Sequence, residues 1–86
     1  IVGGGIVEQT QQCLKNIESL LFDLGLGKTD IVKSTVWLVA KEDFQGFNKA
    51  YAEFFGNHRP ARSCVCSELL VDGALIEIEV VATVKD

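Results

Sequence analysis

The segment His58-Arg-Pro-Ala-Arg-Ser-Cys-Val65 decides the interpretation of this chain, because eight residues hold its only histidine, its only proline, both arginines and a cysteine. Pro60 has no amide hydrogen and biases Arg59 towards extended geometry, so a loop is predicted to lead into a strand near Ala61 or Arg62. At the start of that strand, the planar guanidinium of Arg62 is suited to binding a carboxylate through paired hydrogen bonds. A solvated arginine or a structural ion pair is the plainer alternative.

An amphipathic helix of about five turns is predicted upstream, over residues 6–24, because apolar side chains recur three and four positions apart and Gly25 follows them. Cys13 lies on the apolar stripe, so it is interpreted as a small core residue rather than a reactive thiol. The polar residues between the apolar ones, among them Gln9, are expected to occupy the opposite face of the helix.

A second helix is predicted between residues 41–43 and Gly56, with an aromatic stripe at helical spacing that comprises Phe44, Phe47, Tyr51 and Phe54. A stripe of this kind is more typical of a protein core than of a ligand platform. Asn48 lies one position beyond the stripe. Taken alone, its amide is expected to be solvated or hydrogen-bonded to a backbone group.

A strand is predicted for residues 31–40, which are rich in β-branched and aromatic side chains. Its residues alternate between two faces: Val32, Ser34, Val36 and Leu38 on one, and Lys33, Thr35, Trp37 and Val39 on the other. Because neither face is purely polar, both are expected to be largely covered.

The segment after Arg62 is predicted to form a β-hairpin, in which Asp72-Gly73 is the turn and residues 75–84 are the returning strand. One face of that strand is uniformly apolar and is expected to meet the helices, whereas the other carries Glu77 and Glu79. Such glutamates are normally just solvated. Hairpin pairing would nevertheless bring them opposite the strand that starts at Arg62, so that an acid and an arginine could meet.

Length and composition predict a single domain, residues 1–86, that forms a homo-oligomer, because 48% of a small chain is apolar. Eight basic residues are scattered among twelve acidic ones, which argues against nucleic acid as the main partner. The three cysteines, Cys13, Cys64 and Cys66, match neither zinc-site nor thioredoxin spacing, so no metal site and a reducing, intracellular compartment are expected. Neither a membrane span nor a signal peptide is predicted.

Tyr-Ala-Glu-Phe-Phe-Gly-Asn-His-Arg-Pro-Ala-Arg-Ser-Cys-Val at 51–65, with Gly-Ala-Leu-Ile-Glu-Ile-Glu-Val at 73–80, closely resembles the RidA (YjgF/YER057c/UK114) family of reactive-intermediate deaminases. The resemblance covers essentially the whole chain. It implies an α+β, chorismate mutase-like fold, in which a mixed β-sheet carries two α-helices on one face and three copies assemble as a homotrimer around a central β-barrel. It also implies that N-terminal strands are missing. The glycine-rich residues 1–5 are themselves interpreted as the exit from a missing or frayed strand.

The chemistry implied by the resemblance is hydrolysis of 2-iminobutanoate or 2-iminopropanoate, released by pyridoxal-phosphate dehydratases, to a 2-keto acid and ammonia without a metal or organic cofactor. Arg62 would bind the substrate carboxylate, and Glu77 would orient or deprotonate the attacking water. Cys64 would line the pocket mainly through its backbone, and Asn48 would lie at its side. Cys64 is not favoured as a nucleophile, because no histidine is placed to activate it, although a nearby arginine is expected to favour its thiolate.

Three other functions remain open from the sequence. The same trimer could bind 2-keto acids or a protein partner without catalysis, or it could act as a ribonuclease or translation inhibitor, which an acidic chain disfavours. An ACT-like regulatory domain of a larger enzyme would require flanking sequence. The expected location is the cytoplasm, or the mitochondrion in a eukaryote.

Overall fold

The computed structural model describes residues 4–84, so the prediction for Ile1 to Gly3 lies outside the described residues. Two helices and three strands follow one another as α1 (Ile6–Asp23), β1 (Ile31–Leu38), α2 (Phe44–Phe55), β2 (Ala61–Cys66) and β3 (Ile76–Ala82). Single turns of 3-10 helix precede β1 and α2. Both predicted helices and the start of the predicted strand at Ala61 are confirmed.

The helices end where glycine permits a backbone turn that other residues adopt only with strain. Gly25 has φ +76° just after α1, and Gly56 has φ +60° at the end of α2. At the other end of α1, a carboxylate oxygen of Glu8 accepts the Gly5 amide at 3.1 Å and satisfies one of the free amides of the helix terminus. These local signals set the lengths of the two helices that cover the sheet.

The sheet is mixed and three-stranded, in the order β2-β1-β3, with β2 parallel and β3 antiparallel to the central strand. Both helices pack on one of its faces. The side chains buried between the two layers include Leu14 and Leu21 of α1, Val36 and Leu38 of β1, Phe47 and Phe55 of α2, and Ile76 of β3. The α+β architecture with two helices on one face of a mixed sheet is therefore confirmed.

The predicted hairpin between β2 and β3 is wrong, because β1 lies between these two strands. The turn itself is present, with Gly73 at φ +83° and the Ala74 amide bonded to the Val71 carbonyl. The nine-residue connection 67–75 crosses the end of β1, where Leu38 accepts the Ser67 amide and the Val39 amide bonds Leu75. The connection therefore moves the chain from one edge of β1 to the other.

Gln9 holds this connection against α1, contrary to its predicted place on the polar face of the helix. Its side chain is 2% exposed. The amide nitrogen donates to the carbonyls of Gly4 and Gly73 at 3.1 and 3.0 Å, and the amide oxygen accepts the Leu75 amide at 2.7 Å. Backbone groups that are shielded from water need hydrogen-bond partners. At this turn the side-chain amide of Gln9 supplies them in place of a neighbouring strand.

We expect Gln9→Ala to lower the free energy of unfolding by about 2 kcal/mol, because it leaves partly buried backbone groups of the 73–75 segment without partners and removes a buried side chain. Chemical denaturation followed by circular dichroism measures this. Gln12→Ala is the matched control, since Gln12 is exposed and bonds only to Asn16 within the described residues. Equal losses in the two variants would contradict a clamping role for Gln9.

Within residues 4–84 of a single chain, the second face of the sheet is not covered, so the prediction that both faces of β1 are covered requires another copy and stays a prediction. Val65 and Val81, on this face, are 49% and 53% exposed. An irregularity in the β1–β3 register at Val32 also shifts the predicted alternation, and Ile31 rather than Val32 enters the core. This open sheet face carries Thr35, Trp37, Glu77 and Glu79.

None of the helices within residues 4–84 is both long and apolar enough to cross a membrane.

Candidate functional site

The guanidinium of Arg62 lies over the aromatic face of α2. Arg62 pairs with Ser34 in the parallel ladder and so projects to the side of the sheet that the helices cover. Its Cζ atom is 4.9 Å from the ring centre of Tyr51, 5.3 Å from that of Phe47 and 5.7 Å from that of Phe44. At these distances each ring attracts the cation, which fixes the guanidinium beside the helix.

Asn48 completes this arrangement, because its Oδ1 accepts a hydrogen bond from Arg62 Nη1 at 2.7 Å. Asn48 lies one helical turn after Phe44, and both side chains are exposed. A guanidinium has five N–H donors, and within residues 4–84 Arg62 directs one of them at Asn48. The remaining donors are available to an anionic ligand in the solvent beside β2.

A buried hydrogen bond between two hydroxyl groups holds the Tyr51 side chain in place. The Tyr51 hydroxyl and Ser34 Oγ are 2.6 Å apart, and the two residues are 3% and 1% exposed. Each hydroxyl satisfies the other in the core, which holds the Tyr51 ring in the plane that Arg62 covers. Sequence reasoning placed Ser34 on one face of β1 and Tyr51 in the stripe, but nothing in the sequence indicated this pair.

The aromatic stripe therefore has two roles that the sequence presented as alternatives. Phe47 and Tyr51 are buried in the core, as predicted, yet the ring faces they turn towards β2 carry Arg62. Phe44 is 40% exposed and is the accessible ring of the three. His58, the only histidine, donates a 2.8 Å hydrogen bond from Nε2 to the Ile31 carbonyl and anchors the loop before β2.

Cys64 lies two residues after Arg62 on the same face of β2, where it pairs with Val36 and packs against the core. Burial raises the pKa of its thiol, and the neighbouring Cys66 raises it further, whereas the charge of Arg62 acts in the opposite direction. The net pKa shift is upward. Arg62 favours the Cys64 thiolate, as expected, but the environment as a whole does not, because the cost of burying the charge outweighs this attraction.

Glu77 lies in β3, on the other side of the central strand from Arg62. It pairs with Trp37 on the open sheet face. It also lines a groove of about 310 Å³, with Cys13, Ile17, Leu69 and Ile78 among the other lining residues. The carboxylate is close enough to Cys13 to add to the rise in that thiol's pKa, which burial mainly causes.

Arg62 and Glu77 do not meet within one chain, contrary to the expectation from the hairpin. One pairs with Ser34 on the covered face and the other with Trp37 on the open face. Strand spacing of about 4.8 Å and a rise of about 3.3 Å per residue separate their Cα atoms by roughly 14 Å, on opposite faces of the sheet. The structure thus brings Arg62, Asn48 and Cys64 together and leaves Glu77 apart.

No cluster of three histidine, cysteine or acidic side chains suited to a metal ion occurs within residues 4–84. The donors gathered around Arg62 are cationic or neutral, which suits an anion.

The chain is thus a small α+β domain that presents an arginine on the aromatic face of its second helix. This chain belongs to the endoribonuclease L-PSP family, whose sequence profile matches residues 1–84, and which is the RidA, or YjgF/YER057c/UK114, family. A RutC family protein of Pyrococcus horikoshii is 44% identical over 82 residues, which cover 95% of this chain and 65% of that protein. The chain therefore spans less than two thirds of that relative's length.

Two other relatives carry more specific names. A Lactococcus lactis protein named as a candidate regulator, AldR, is 44% identical over 85 residues, which cover 99% of this chain and 68% of that protein. The human 2-iminobutanoate/2-iminopropanoate deaminase is 39% identical, with 95% of this chain and 60% of that protein covered. Among solved structures, a candidate endoribonuclease of Thermotoga maritima superposes with a TM-score of 0.92 at 38% identity, over 100% of this chain and 68% of that one.

Proposed function

We propose that this chain is part of a deaminase that hydrolyses 2-iminobutanoate or 2-iminopropanoate to the 2-keto acid and ammonia. The observation that carries the proposal is the guanidinium of Arg62, held by three rings and Asn48 with most of its N–H donors open to solvent. A planar guanidinium held in this way can donate paired hydrogen bonds to the carboxylate of a small 2-imino acid. The likeness to the human deaminase supports the same substrate class.

In the proposed reaction, Arg62 binds the carboxylate and thereby fixes the adjacent imine carbon, while Cys64 and Asn48 border the bound acid. Glu77 orients a water and takes one of its protons as the oxygen adds to the imine carbon. The proton on Glu77 passes to the nitrogen, and the carbinolamine then collapses: its hydroxyl proton also goes to the nitrogen, the C–N bond breaks, ammonia leaves and the 2-keto acid remains. The protein contributes positioning and a proton acceptor, and no cofactor is required.

The proposed site lies between subunits of a homotrimer. Arg62 and Glu77 project from opposite faces of one sheet, so one substrate can contact both only if they belong to different copies. The open sheet face, with Val65 and Val81 about half exposed, offers apolar area for such an assembly. A central β-barrel formed by three such faces is consistent with this geometry.

A ligand-binding or regulatory trimer without catalysis is the second candidate, and the likeness to AldR favours it. The same Arg62 site would then bind a 2-keto acid as a signal. An endoribonuclease role, as in the family's name, is disfavoured, because the chain carries a net charge of −4 and the cations are scattered.

The test uses the full-length gene product, with a threonine dehydratase generating 2-iminobutanoate in situ, and measures the release of ammonia and 2-ketobutanoate. We expect the protein to accelerate release in proportion to its concentration. A folded, assembled protein that binds 2-ketobutanoate but leaves the release rate unchanged would favour the regulatory candidate instead.

A further inference from the structure

The proposed anion site shares its strand with a second cysteine that the proposed reaction does not use. Cys64 and Cys66 both project to the helix-covered side of β2, opposite Val36 and Leu38 of the central strand. Cys64 is half-buried and Cys66 is exposed. Both are free thiols, and they are close enough to interact electrostatically. Arg62 lies next along the same face.

We propose that Cys64 and Cys66 form a reversible, peroxide-driven disulfide within β2, and that this bond weakens ligand binding at Arg62. Two residues of a strand on one face have Cα atoms about 6.6 Å apart, since each residue rises about 3.3 Å. Disulfides span Cα separations of about 4.4 to 6.8 Å. The Cα separation is at the upper end of this range, but the parallel side chains place the Cβ atoms about 6.6 Å apart, against the roughly 3.5–4.5 Å of a disulfide. Closing the bond therefore requires β2 to bend so that the two residues approach each other.

The position of β2 permits that movement. Within residues 4–84, β2 pairs with β1 alone, so its outer edge can bend without breaking a second ladder. A bend at Cys64 acts two residues from Arg62, whose guanidinium depends on its placement over the α2 rings. Because a disulfide that strains its strand is readily reduced, the bond is expected to be reversible rather than structural.

The chemistry balances with a peroxide as the oxidant. The exposed Cys66 thiolate attacks one peroxide oxygen, giving a sulfenic acid and releasing water after proton uptake. Cys64 then attacks the Cys66 sulfur, the S–S bond forms and a second water leaves. Two thiols lose two electrons and two protons, and one peroxide becomes two waters. Burial, which raises the pKa of the Cys64 thiol, suits this residue to the second step rather than the first.

The first measurement is mass spectrometry of the full-length protein after treatment with hydrogen peroxide. Trypsin cleaves after Arg62 and after residue 85, so peptide 63–85 contains both cysteines. We expect this peptide to lose two hydrogens and to regain them with dithiothreitol. Cys66→Ser should prevent the loss, whereas Cys13→Ser should leave it unchanged. Oxygen added at Cys66 without the loss of two hydrogens, or a cross-link between chains, would overturn the proposal.

The second measurement is calorimetric binding of 2-ketobutanoate, and this part rests on the proposed function. Oxidised wild-type protein should bind about tenfold more weakly than reduced protein, and Cys66→Ser should bind equally well before and after peroxide. Unchanged affinity in a protein that has formed the disulfide would refute the effect on Arg62. A reduced protein that does not bind the acid would count against the proposed function, while the peptide mass would still decide whether the disulfide forms.

Discussion

Arg62→Ala is expected to lower kcat/KM for imine hydrolysis by about 10²- to 10³-fold, because it removes the charged fork that binds the substrate carboxylate. Arg62→Lys should retain charge but lose the planar geometry and the match to Asn48, with a loss of about tenfold. The coupled ammonia and 2-ketobutanoate assay measures both. The free energy of unfolding should fall by only about 1 kcal/mol, which reflects the lost contacts with the α2 rings.

The matched control is Arg59→Ala. Arg59 belongs to the same loop, is exposed, and donates to the Gly56 carbonyl at 2.9 Å. It should retain full activity. If Arg62→Ala instead unfolds the protein or disrupts its assembly, Arg62 is a structural residue and the carboxylate must bind elsewhere.

Glu77→Gln is expected to reduce kcat by about 10²-fold or more while changing the affinity for 2-ketobutanoate by less than about threefold, because an amide can still hold a water but cannot take its proton. Turnover comes from the coupled assay and affinity from calorimetry. Glu79→Gln is the control, since Glu79 lies two residues away on the same open face of β3. Equal losses of turnover and binding would rule out a role in activating water.

Mixing the two inactive variants tests whether Arg62 and Glu77 act across an interface. In trimers assembled randomly from equal amounts of Arg62→Ala and Glu77→Gln chains, about a quarter of the interfaces combine an intact Arg62 with an intact Glu77. Activity should therefore recover to about a quarter of the wild-type value. A site contained within one chain would show no recovery after unfolding and joint refolding.

Local patterns predicted the elements of this fold, whereas the pairing of strands required information the patterns do not carry. The helical spacing of the aromatic residues in α2 and the proline before β2 are signals that span only a few residues. The helix and the strand start that they predicted are both confirmed. Asp72-Gly73 correctly predicted a turn, but a turn does not specify its partner strand. The 67–75 connection is long enough to cross the end of β1. Because β3 buries its apolar face when it lies beside β1, it pairs with β1 rather than with β2.

The prediction that Gln9 lies on the polar face of α1 is wrong for a related reason. Its hydrogen-bond partners Gly73 and Leu75 are 64 and 66 residues away in sequence, so nothing near α1 indicates that a polar side chain is needed there. The proposed site likewise depends on contacts between segments that are distant in sequence. The family resemblance pointed to Arg62 and Asn48, which are in contact, but the rings beneath the guanidinium and the Ser34–Tyr51 pair depend on how α2 lies across the sheet.

The insertion of β3 beside β1 also has a consequence during synthesis on the ribosome. The chain emerges from its N-terminus, so α1, β1, α2 and β2 are available before residues 76–82 leave the exit tunnel. Until then one edge of the hydrophobic central strand, the edge that β3 occupies in the folded chain, is bare. An unpaired strand edge invites pairing with other chains. We expect nascent chains halted before residues 76–82 have emerged to depend on chaperones, whereas released chains that include all of β3 should not.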